Sequence, residues 1–237
     1  MKYRLDAPLD ELLDQAKAKF RIAFEPLRLG ERELFFLQIT NMSSYLESLA
    51  AKTKGGAGVE LPLWARIWPT ALPASLFVQK IPVRPGTRML EIGTGVGVVG
   101  LFAAAAGHRV LLTDVNPEAL LFTRINILKN GLEDRADVAK VDLTRDRLEE
   151  KFNLIVGCEV LYRKSVQLPL LAFLKAHIAP DPDAEIILAL DQSRSAAGFF
   201  HAASQDFQVA ARTFNLAQEN GESKPNTIFR LKAKPHA

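Results

Sequence analysis

Cysteine is almost absent from this chain, which has one, Cys158, among 237 residues. A single cysteine excludes an intramolecular disulfide and fits a protein of a reducing compartment. Histidine is also scarce: the four histidines are dispersed, and none forms the pair at helical spacing that would indicate a metal site. We therefore predict neither a disulfide framework nor a bound metal.

Long hydrophobic runs are missing as well. The longest weakly polar run, residues 96–107, is too short to span a bilayer and is followed by His108 and Arg109. The first twenty residues include early acidic residues and no apolar block, so they are not typical of a signal peptide. We expect a cytoplasmic protein with no membrane anchor.

Charge of one sign does not dominate the chain. The 30 Lys and Arg residues are nearly balanced by 27 Asp and Glu residues, which leaves a net charge of +3. The basic residues are scattered, so the sequence lacks the basic stripe of a nucleic-acid-binding protein. We expect no nucleic-acid partner. The 48% hydrophobic and 24% charged residues are ordinary for a globular domain.

The N-terminal part of the chain contains one helical pattern and two extended ones. Apolar residues at helical spacing predict an amphipathic helix over residues 9–20. Two extended runs, at 20–29 and 33–40, are separated by Gly30 and charged residues. They predict a hairpin or two edge strands.

A glycine-rich break at residues 54–62 divides the chain. We place there the boundary between a small helix and hairpin extension, residues 1–58, and a main domain, residues 59–237. Beyond the break, apolar strands alternate with helices, which predicts an α/β fold with a doubly wound parallel sheet. The last two strands have no helix between them, so they must run antiparallel.

Two of the predicted helices carry a proline near their start. Asn116 is a good N-cap, Pro117 suits the first helical position, and Glu118 complements the positive end of the helix dipole. In the helix predicted over residues 165–179, we place Pro169 in the first turn, where a missing N–H is tolerated.

The most informative stretch is RMLEIGTGVGVVGLFAAAAGHRVLLTD. It contains Gly-x-Gly-x-Gly at Gly93, Gly95 and Gly97, and an overlapping Gly-x-Gly-x-x-Gly that ends at Gly100. The first pattern is typical of enzymes that use S-adenosylmethionine (AdoMet), and the second of dinucleotide-binding enzymes. Both use a glycine turn so that the backbone can approach the ligand, and both use an acid such as Asp114 to bind ribose hydroxyls.

Glu91, two residues before the first glycine, separates the two cofactors. A carboxylate beside a pyrophosphate would repel its negative charge, whereas AdoMet carries a methionine ammonium group and a sulfonium that a carboxylate attracts. A dehydrogenase would also need a substrate domain, for which too few residues follow Asp114. We therefore predict AdoMet as the cofactor, with Glu91 near its cationic end.

Several segments resemble one enzyme family. The stretch from Glu91 to Gly97, followed by TDVNPEAL, resembles motif I of the seven-strand (class I) AdoMet methyltransferases. PLWARIWPTALPASLFV, FTRINILKNGL and the EVLY motif resemble the family-16, methyltransferase-like 21 group of protein lysine methyltransferases. The similarity covers about residues 61–200. It implies a Rossmann-like, mostly parallel seven-stranded sheet with an antiparallel last strand, and methyl transfer to a lysine of a protein substrate.

The resemblance also implies a set of cofactor contacts. Trp68 would line the adenosine or methionine pocket, and the turn at Gly93–Gly95 would carry the methionine moiety. Asp142 and Leu143 would touch the adenine, and the backbone of Cys158 would lie near the sulfonium. The complete set of implied cofactor contacts is Trp68, Glu91, Gly93, Thr94, Gly95, Gly97, Asp114, Asp142, Leu143 and Cys158.

Glu159 and Tyr162 of the EVLY motif are the implied catalytic residues. A lysine amine is protonated in water, with a pKa of about 10.4, so a carboxylate such as Glu159 can attract and orient it. Tyr162 would wall the substrate channel or accept an N–H bond. As alternatives, Glu159 caps the following helix and Tyr162 is simple packing.

Three other functions fit parts of the sequence. A small-molecule N-methyltransferase would use the same scaffold. A non-catalytic AdoMet-binding protein would keep the fold without turnover, although the intact EVLY motif argues against it. A nicotinamide-cofactor enzyme is disfavoured by Glu91.

Overall fold

The computed structural model describes residues 2–52, 61–191, 196–217 and 223–234. Most of the glycine-rich break, and with it the predicted boundary between residues 58 and 59, lies outside these ranges, so that boundary stays a prediction.

Within the described ranges the chain forms seven α-helices and nine strands, with a short 3₁₀ turn at Leu63–Ala65. None of these helices is long and apolar enough to cross a membrane. In chain order the elements are α1 (Leu9–Lys17), β1 (Ile22–Leu29), β2 (Arg32–Ile39), α2 (Met42–Lys52), α3 (Ala71–Val78), β3 (Met89–Ile92), α4 (Val98–Ala105), β4 (Val110–Asp114), α5 (Pro117–Lys129), β5 (Ala136–Lys140), β6 (Leu154–Cys158), α6 (Lys164–His177), β7 (Glu185–Asp191), α7 (Ala197–Ala203), β8 (Phe207–Ala217) and β9 (Ser223–Ala233).

The strands form two sheets. β1 and β2 make the antiparallel hairpin predicted near the N-terminus. The other seven strands lie in the order β5-β4-β3-β6-β7-β9-β8, with β3 to β7 parallel and β9 antiparallel to both its neighbours. The predicted doubly wound, mostly parallel seven-stranded sheet with an antiparallel last strand is thus confirmed. The order of strands reverses between β3 and β6.

The strands of the large sheet bury both faces. Met89 and Val156 belong to one hydrophobic cluster, while their neighbours Leu90 and Ile155 belong to a second cluster. This alternation arises because successive side chains point to opposite faces of a strand. Helices α4 and α5 contribute to the first cluster, and α6 and α7 to the second.

The N-terminal helix and hairpin pack on the first face of the sheet through α4 and α5. Phe36 of β2 lies against Phe102 of α4, with ring centroids 6.0 Å apart. Phe20 meets Phe122 of α5 edge to face at 5.5 Å. The cluster that contains these rings is continuous with the core of the main sheet.

An ionic contact adds to this packing at the start of α5. The Nζ atoms of Lys2 and Lys19 lie 2.6 and 2.7 Å from Oε1 of Glu118. Burial raises the pKa of Glu118, but the hydrogen bonds and charges of the two lysines outweigh it and lower that pKa to about 2. Glu118, predicted to complement the helix dipole, therefore also fastens the N-terminal segment.

The structure departs from the sequence predictions in two respects. The placement of Pro169 in a first helical turn was wrong: α6 begins at Lys164, so Pro169 lies in the second turn and cannot bond the carbonyl of Ser165. Helices α2 and α3 were not predicted. Apart from Ser75, the residues of α3 are apolar on all sides, so they show no amphipathic period that indicates a helix.

Candidate active site

The predicted functional residues collect at the carboxyl edge of the large sheet. Ile92 at the end of β3 pairs with Thr113 of β4 on one side and Gly157 of β6 on the other. Each strand therefore ends beside its neighbour, which brings the glycine loop, Asp114 and Cys158 together. The reversal of strand order at this point is where open α/β sheets bind ligands.

The glycine loop between β3 and α4 takes a conformation that favours glycine. Gly93, Gly95 and Gly97 have φ angles of +61°, +57° and +84°, in the left-handed region. A Cβ on Gly95 would also lie 2.8 Å from the carbonyl oxygen of Trp64. The loop thus requires glycine at Gly95 for two independent reasons.

Glu91 is a buried carboxylate beneath this loop, not a surface acid. Its side chain is 3% exposed, and its Oε2 accepts hydrogen bonds from Thr94 Oγ1 (2.6 Å) and the Gly100 backbone N–H (3.0 Å). Burial raises the pKa of Glu91 to about 7, although those two hydrogen bonds oppose the shift. Glu91 therefore titrates near neutral pH and ties the glycine loop to α4.

The raised pKa of Glu91 predicts a pH-dependent stability. Because its folded pKa of about 7 exceeds the ordinary value of 4.5, Glu91 favours folding below about pH 4.5 and loses this contribution as pH rises through 7. Glutamine mimics the neutral carboxyl and can accept the same bonds. We expect the Tm of Glu91→Gln, relative to the wild type, to rise between pH 5 and pH 8 in cofactor-free thermal melts. A constant difference across that range would contradict the assigned pKa.

Asp114 closes the other side of the loop. Its Oδ2 accepts the Gly95 N–H at 3.0 Å, and its Oδ1 accepts the Asn116 N–H at 2.9 Å. Burial raises the pKa of Asp114, partly offset by these N–H groups. Asn116 in turn caps α5 by accepting from the N–H groups of Glu118 and Ala119, as predicted.

Glu159 occupies a strained position directly after β6. It is the only non-glycine residue among those described with a positive φ, +56°, a conformation that clusters at functional sites. Its side chain is 7% exposed, and its Oε1 accepts the Asp191 N–H at 2.8 Å. Glu159 does not cap α6, whose N-cap is Arg163.

Cys158, the last residue of β6, is influenced by both buried glutamates. Burial raises the pKa of its thiol well above the ordinary value, and the charges of Glu91 and Glu159 add to the shift. A thiol that stays protonated is a poor nucleophile. We therefore assign no nucleophilic role to the Cys158 thiol. What this position offers a ligand is its backbone and a small side chain.

The remaining predicted residues lie further out. Tyr162 is 48% exposed, with the Arg163 guanidinium 5.2 Å from its ring centroid. Trp68 is half-buried and donates its indole N–H to the Leu63 carbonyl at 3.1 Å. The segment that contains Trp68 meets the glycine loop four residues earlier, at the backbone of Trp64.

Asp142 and Leu143 follow β5, at the same edge of the sheet. Asp142 Oδ1 accepts from the backbone N–H and the hydroxyl of Thr144 at 2.9 and 2.6 Å. These two bonds lower the pKa of Asp142. Leu143 packs against the second hydrophobic cluster, and Val115, just after Asp114, is 55% exposed.

Several residues that shape the loop were not predicted from the sequence. Thr113 Oγ1 donates to the Glu91 carbonyl at 2.8 Å, and Thr123 Oγ1 donates to the Gly95 carbonyl at 2.8 Å. Asn126 Nδ2 donates to the Val96 carbonyl at 2.9 Å. One feature of the sequence could have indicated two of them: Thr123 and Asn126 are uncharged polar residues one turn apart among the apolar residues of α5.

Comparison with known proteins gives the family. Residues 47–206, more than half of the chain, match the family model described as lysine methyltransferase. The chain belongs to this lysine methyltransferase family. The match confirms the resemblance inferred from the EVLY and tryptophan-containing segments.

Similar proteins include methyltransferases, two of which are named for different protein substrates. The chain is 32% identical over 106 residues to the zebrafish (Danio rerio) protein N-lysine methyltransferase METTL21A, covering 41% of this chain and 48% of that protein. It is 29% identical over 137 residues to the mouse (Mus musculus) EEF1A lysine methyltransferase 3, covering 56% and 57%. It is 33% identical over 76 residues to the ribosomal protein L11 methyltransferase of Geobacillus thermodenitrificans, covering 32% and 24%. The chain thus spans between a quarter and somewhat more than half of these relatives.

Solved structures share the fold of this chain. A SAM-dependent methyltransferase from Agrobacterium tumefaciens superposes with a TM-score of 0.58 at 17% identity, over 89% of this chain and 70% of that one. A TehB-like SAM-dependent methyltransferase from Corynebacterium glutamicum superposes with a TM-score of 0.53 at 18% identity, over 82% and 97%. At these identities the likeness establishes the fold alone.

Proposed function

We propose that this protein transfers a methyl group from AdoMet to a lysine side chain of a protein substrate. The observation that carries the proposal is a buried carboxylate, Glu159, held in a left-handed conformation at the strand end beside the glycine loop. Membership of the lysine methyltransferase family supports the same reaction. We also propose a cytoplasmic location, on the ground of the single cysteine.

The residues present fit AdoMet. Each carboxylate oxygen of Asp114 accepts one backbone N–H, and a carboxylate oxygen has a second lone pair with which to accept a ribose hydroxyl. Glu91 provides a carboxyl near the proposed methionine end. The glycine loop permits close approach of the backbone. Trp68, Asp142, Leu143 and the Cys158 backbone complete the proposed contacts.

The bound cofactor would supply an electrophilic methyl group on its sulfonium. The chain must then deliver a neutral amine in line with that carbon and keep water away. A lysine arrives protonated, so the Glu159 carboxylate would attract the ammonium group and orient its nitrogen. Because the nitrogen lone pair is needed for the attack, the ammonium must first release one proton to water. Transfer of the methyl group to nitrogen would then break its bond to the sulfonium sulfur and leave S-adenosylhomocysteine. Tyr162, at the surface, would flank the path of the substrate side chain.

A labelling experiment tests this function. Wild-type protein and Asp114→Ala would be incubated with tritiated AdoMet and a cell extract, and AdoMet binding to both would be measured by calorimetry. We expect one discrete labelled protein with the wild type, labelled on lysine after hydrolysis. Asp114→Ala should bind AdoMet weakly and leave the band unlabelled, because it removes the proposed ribose ligand.

The outcomes separate the candidate functions. Label confined to small molecules would replace the protein substrate with a small amine. AdoMet binding without transfer to any acceptor would indicate a non-catalytic binding protein. Failure of the wild type to bind AdoMet would overturn the proposal as a whole.

A further inference from the structure

Two asparagines, Asn126 within α5 and Asn130 directly after its last residue, bind the edge of the N-terminal hairpin. Asn130 makes two bonds of 2.8 Å to Phe35, accepting its N–H and donating to its carbonyl. Asn126 Oδ1 accepts the Leu37 N–H, also at 2.8 Å. Pro26 of β1 lies opposite Phe35 and has no N–H to donate across the hairpin. The N–H and carbonyl of Phe35 instead point away from β1, toward Asn130.

The spacing of these bonds follows from the two backbones. Residues four apart on a helix advance by about 6 Å, and residues two apart on a strand by about 6.8 Å. A carboxamide offers a donor and an acceptor, as a peptide group does. The side-chain amides of Asn126 and Asn130 therefore bond the backbone of β2 in the way that the peptide groups of a third strand would.

Asn126 differs from Asn130 because its other end reaches the glycine loop. Its side chain is fully buried, and its Nδ2 donates to the Val96 carbonyl at 2.9 Å. Val96 lies between Gly95 and Gly97, both of which have positive φ. A peptide flanked by two glycines has many accessible conformations, so a bond to its carbonyl selects one of them. One carboxamide thus joins the hairpin to the loop.

We propose that Asn126 is a positioning residue through which docking of the N-terminal hairpin fixes the glycine loop in its cofactor-binding conformation. This inference rests on the proposed function, because it takes AdoMet as the ligand of the loop. It gives the N-terminal hairpin a role in cofactor affinity, which the sequence left unassigned. By linkage, AdoMet binding must in turn stabilise the docked hairpin.

The chain offers a matched pair of variants. Asn126→Ala removes one bond to β2 and the bond to Val96. Asn130→Ala removes two bonds to β2 and a bond to the backbone carbonyl of Asn126, and it leaves the loop contact in place. We expect the Kd for AdoMet to rise about tenfold or more in Asn126→Ala, as for a buried carbonyl that loses its donor, and much less in Asn130→Ala. Steady-state kinetics should show a raised KM for AdoMet in Asn126→Ala with kcat close to that of the wild type.

Hydrogen exchange of the wild type tests the same coupling without a variant. We expect saturating AdoMet to slow exchange of the Phe35 and Leu37 amides more than that of amides in β8 and β9, at the far edge of the sheet. Equal slowing at both places would reflect general stabilisation and would overturn the coupling.

The two proposals fail differently. If the wild type binds AdoMet and the two asparagine variants bind it equally well, the role of Asn126 falls and the methyltransferase proposal stands. If the wild type does not bind AdoMet, both fall together. An Asn126→Ala protein that does not fold leaves the exchange measurement as the deciding result.

Discussion

Replacing Glu159 by glutamine should lower the rate of methyl transfer by about 100-fold, the scale on which loss of one charge-stabilising group acts in an active site. Glutamine can still accept the Asp191 N–H with its side-chain oxygen, so the backbone around the site should keep its geometry. What is lost is the negative charge that attracts and orients the lysine ammonium. AdoMet affinity should stay close to that of the wild type, because Glu159 is placed on the substrate side.

Single-turnover transfer and AdoMet calorimetry on the same preparations would check this. Tyr162→Phe is a useful companion, because it keeps the exposed ring and removes only the hydroxyl, so a smaller loss is expected than for Glu159→Gln. Unchanged turnover in Glu159→Gln would remove Glu159 from the catalytic machinery. A parallel fall in AdoMet affinity would instead move Glu159 to the cofactor side.

Replacing Gly95 by alanine should damage both the fold and the cofactor site. Alanine in the left-handed region costs about 1–2 kcal/mol, and the clash of its Cβ with the Trp64 carbonyl, at 2.8 Å, adds about 1–3 kcal/mol. For a chain of this size, the sum corresponds to a fall in Tm of about 5–15 °C. AdoMet binding should weaken strongly as well, because relief of the clash must move either the loop or the segment that contains Trp64.

Gly131→Ala is the matched control for this prediction. Gly131 has a similar φ of +63°, but a Cβ there would meet nothing within 4 Å. The control therefore carries the backbone cost without the clash, and it lies at the opposite end of α5 from the site. We expect a smaller fall in Tm and unchanged AdoMet affinity for Gly131→Ala. Equal effects of the two substitutions on AdoMet affinity would show that the contact with Trp64 does not matter.

The features that the sequence predicts well are those whose chemistry is local. The turn from Gly93 to Gly97 needs glycine for its own backbone angles, and the Asn116 cap bonds N–H groups two and three residues away. The parallel sheet follows from the alternation of strands and helices, because crossover connections leave few topologies. These elements could be placed without knowledge of distant contacts.

The features that the sequence did not predict depend on distant partners. Asn126 bonds Leu37, 89 residues away, and Val96, 30 residues away, and nothing in the pattern of α5 specifies either partner. The burial of Glu159 and the exposure of Tyr162 are likewise set by how α6 and the strand ends pack. Pro169 was predicted in the first turn of α6 and lies in the second, because the residue at which α6 begins depends on tertiary packing.

The side-chain amides of Asn126 and Asn130 also affect how readily one molecule associates with another. An unpaired strand edge is a template on which another chain can add a strand, and this is a common route to aggregation. On β2, Asn130 occupies both polar groups of Phe35, and Asn126 occupies the N–H of Leu37. These two side chains thus occupy the backbone groups to which an added strand would bond, so we expect their loss to favour aggregation through β2.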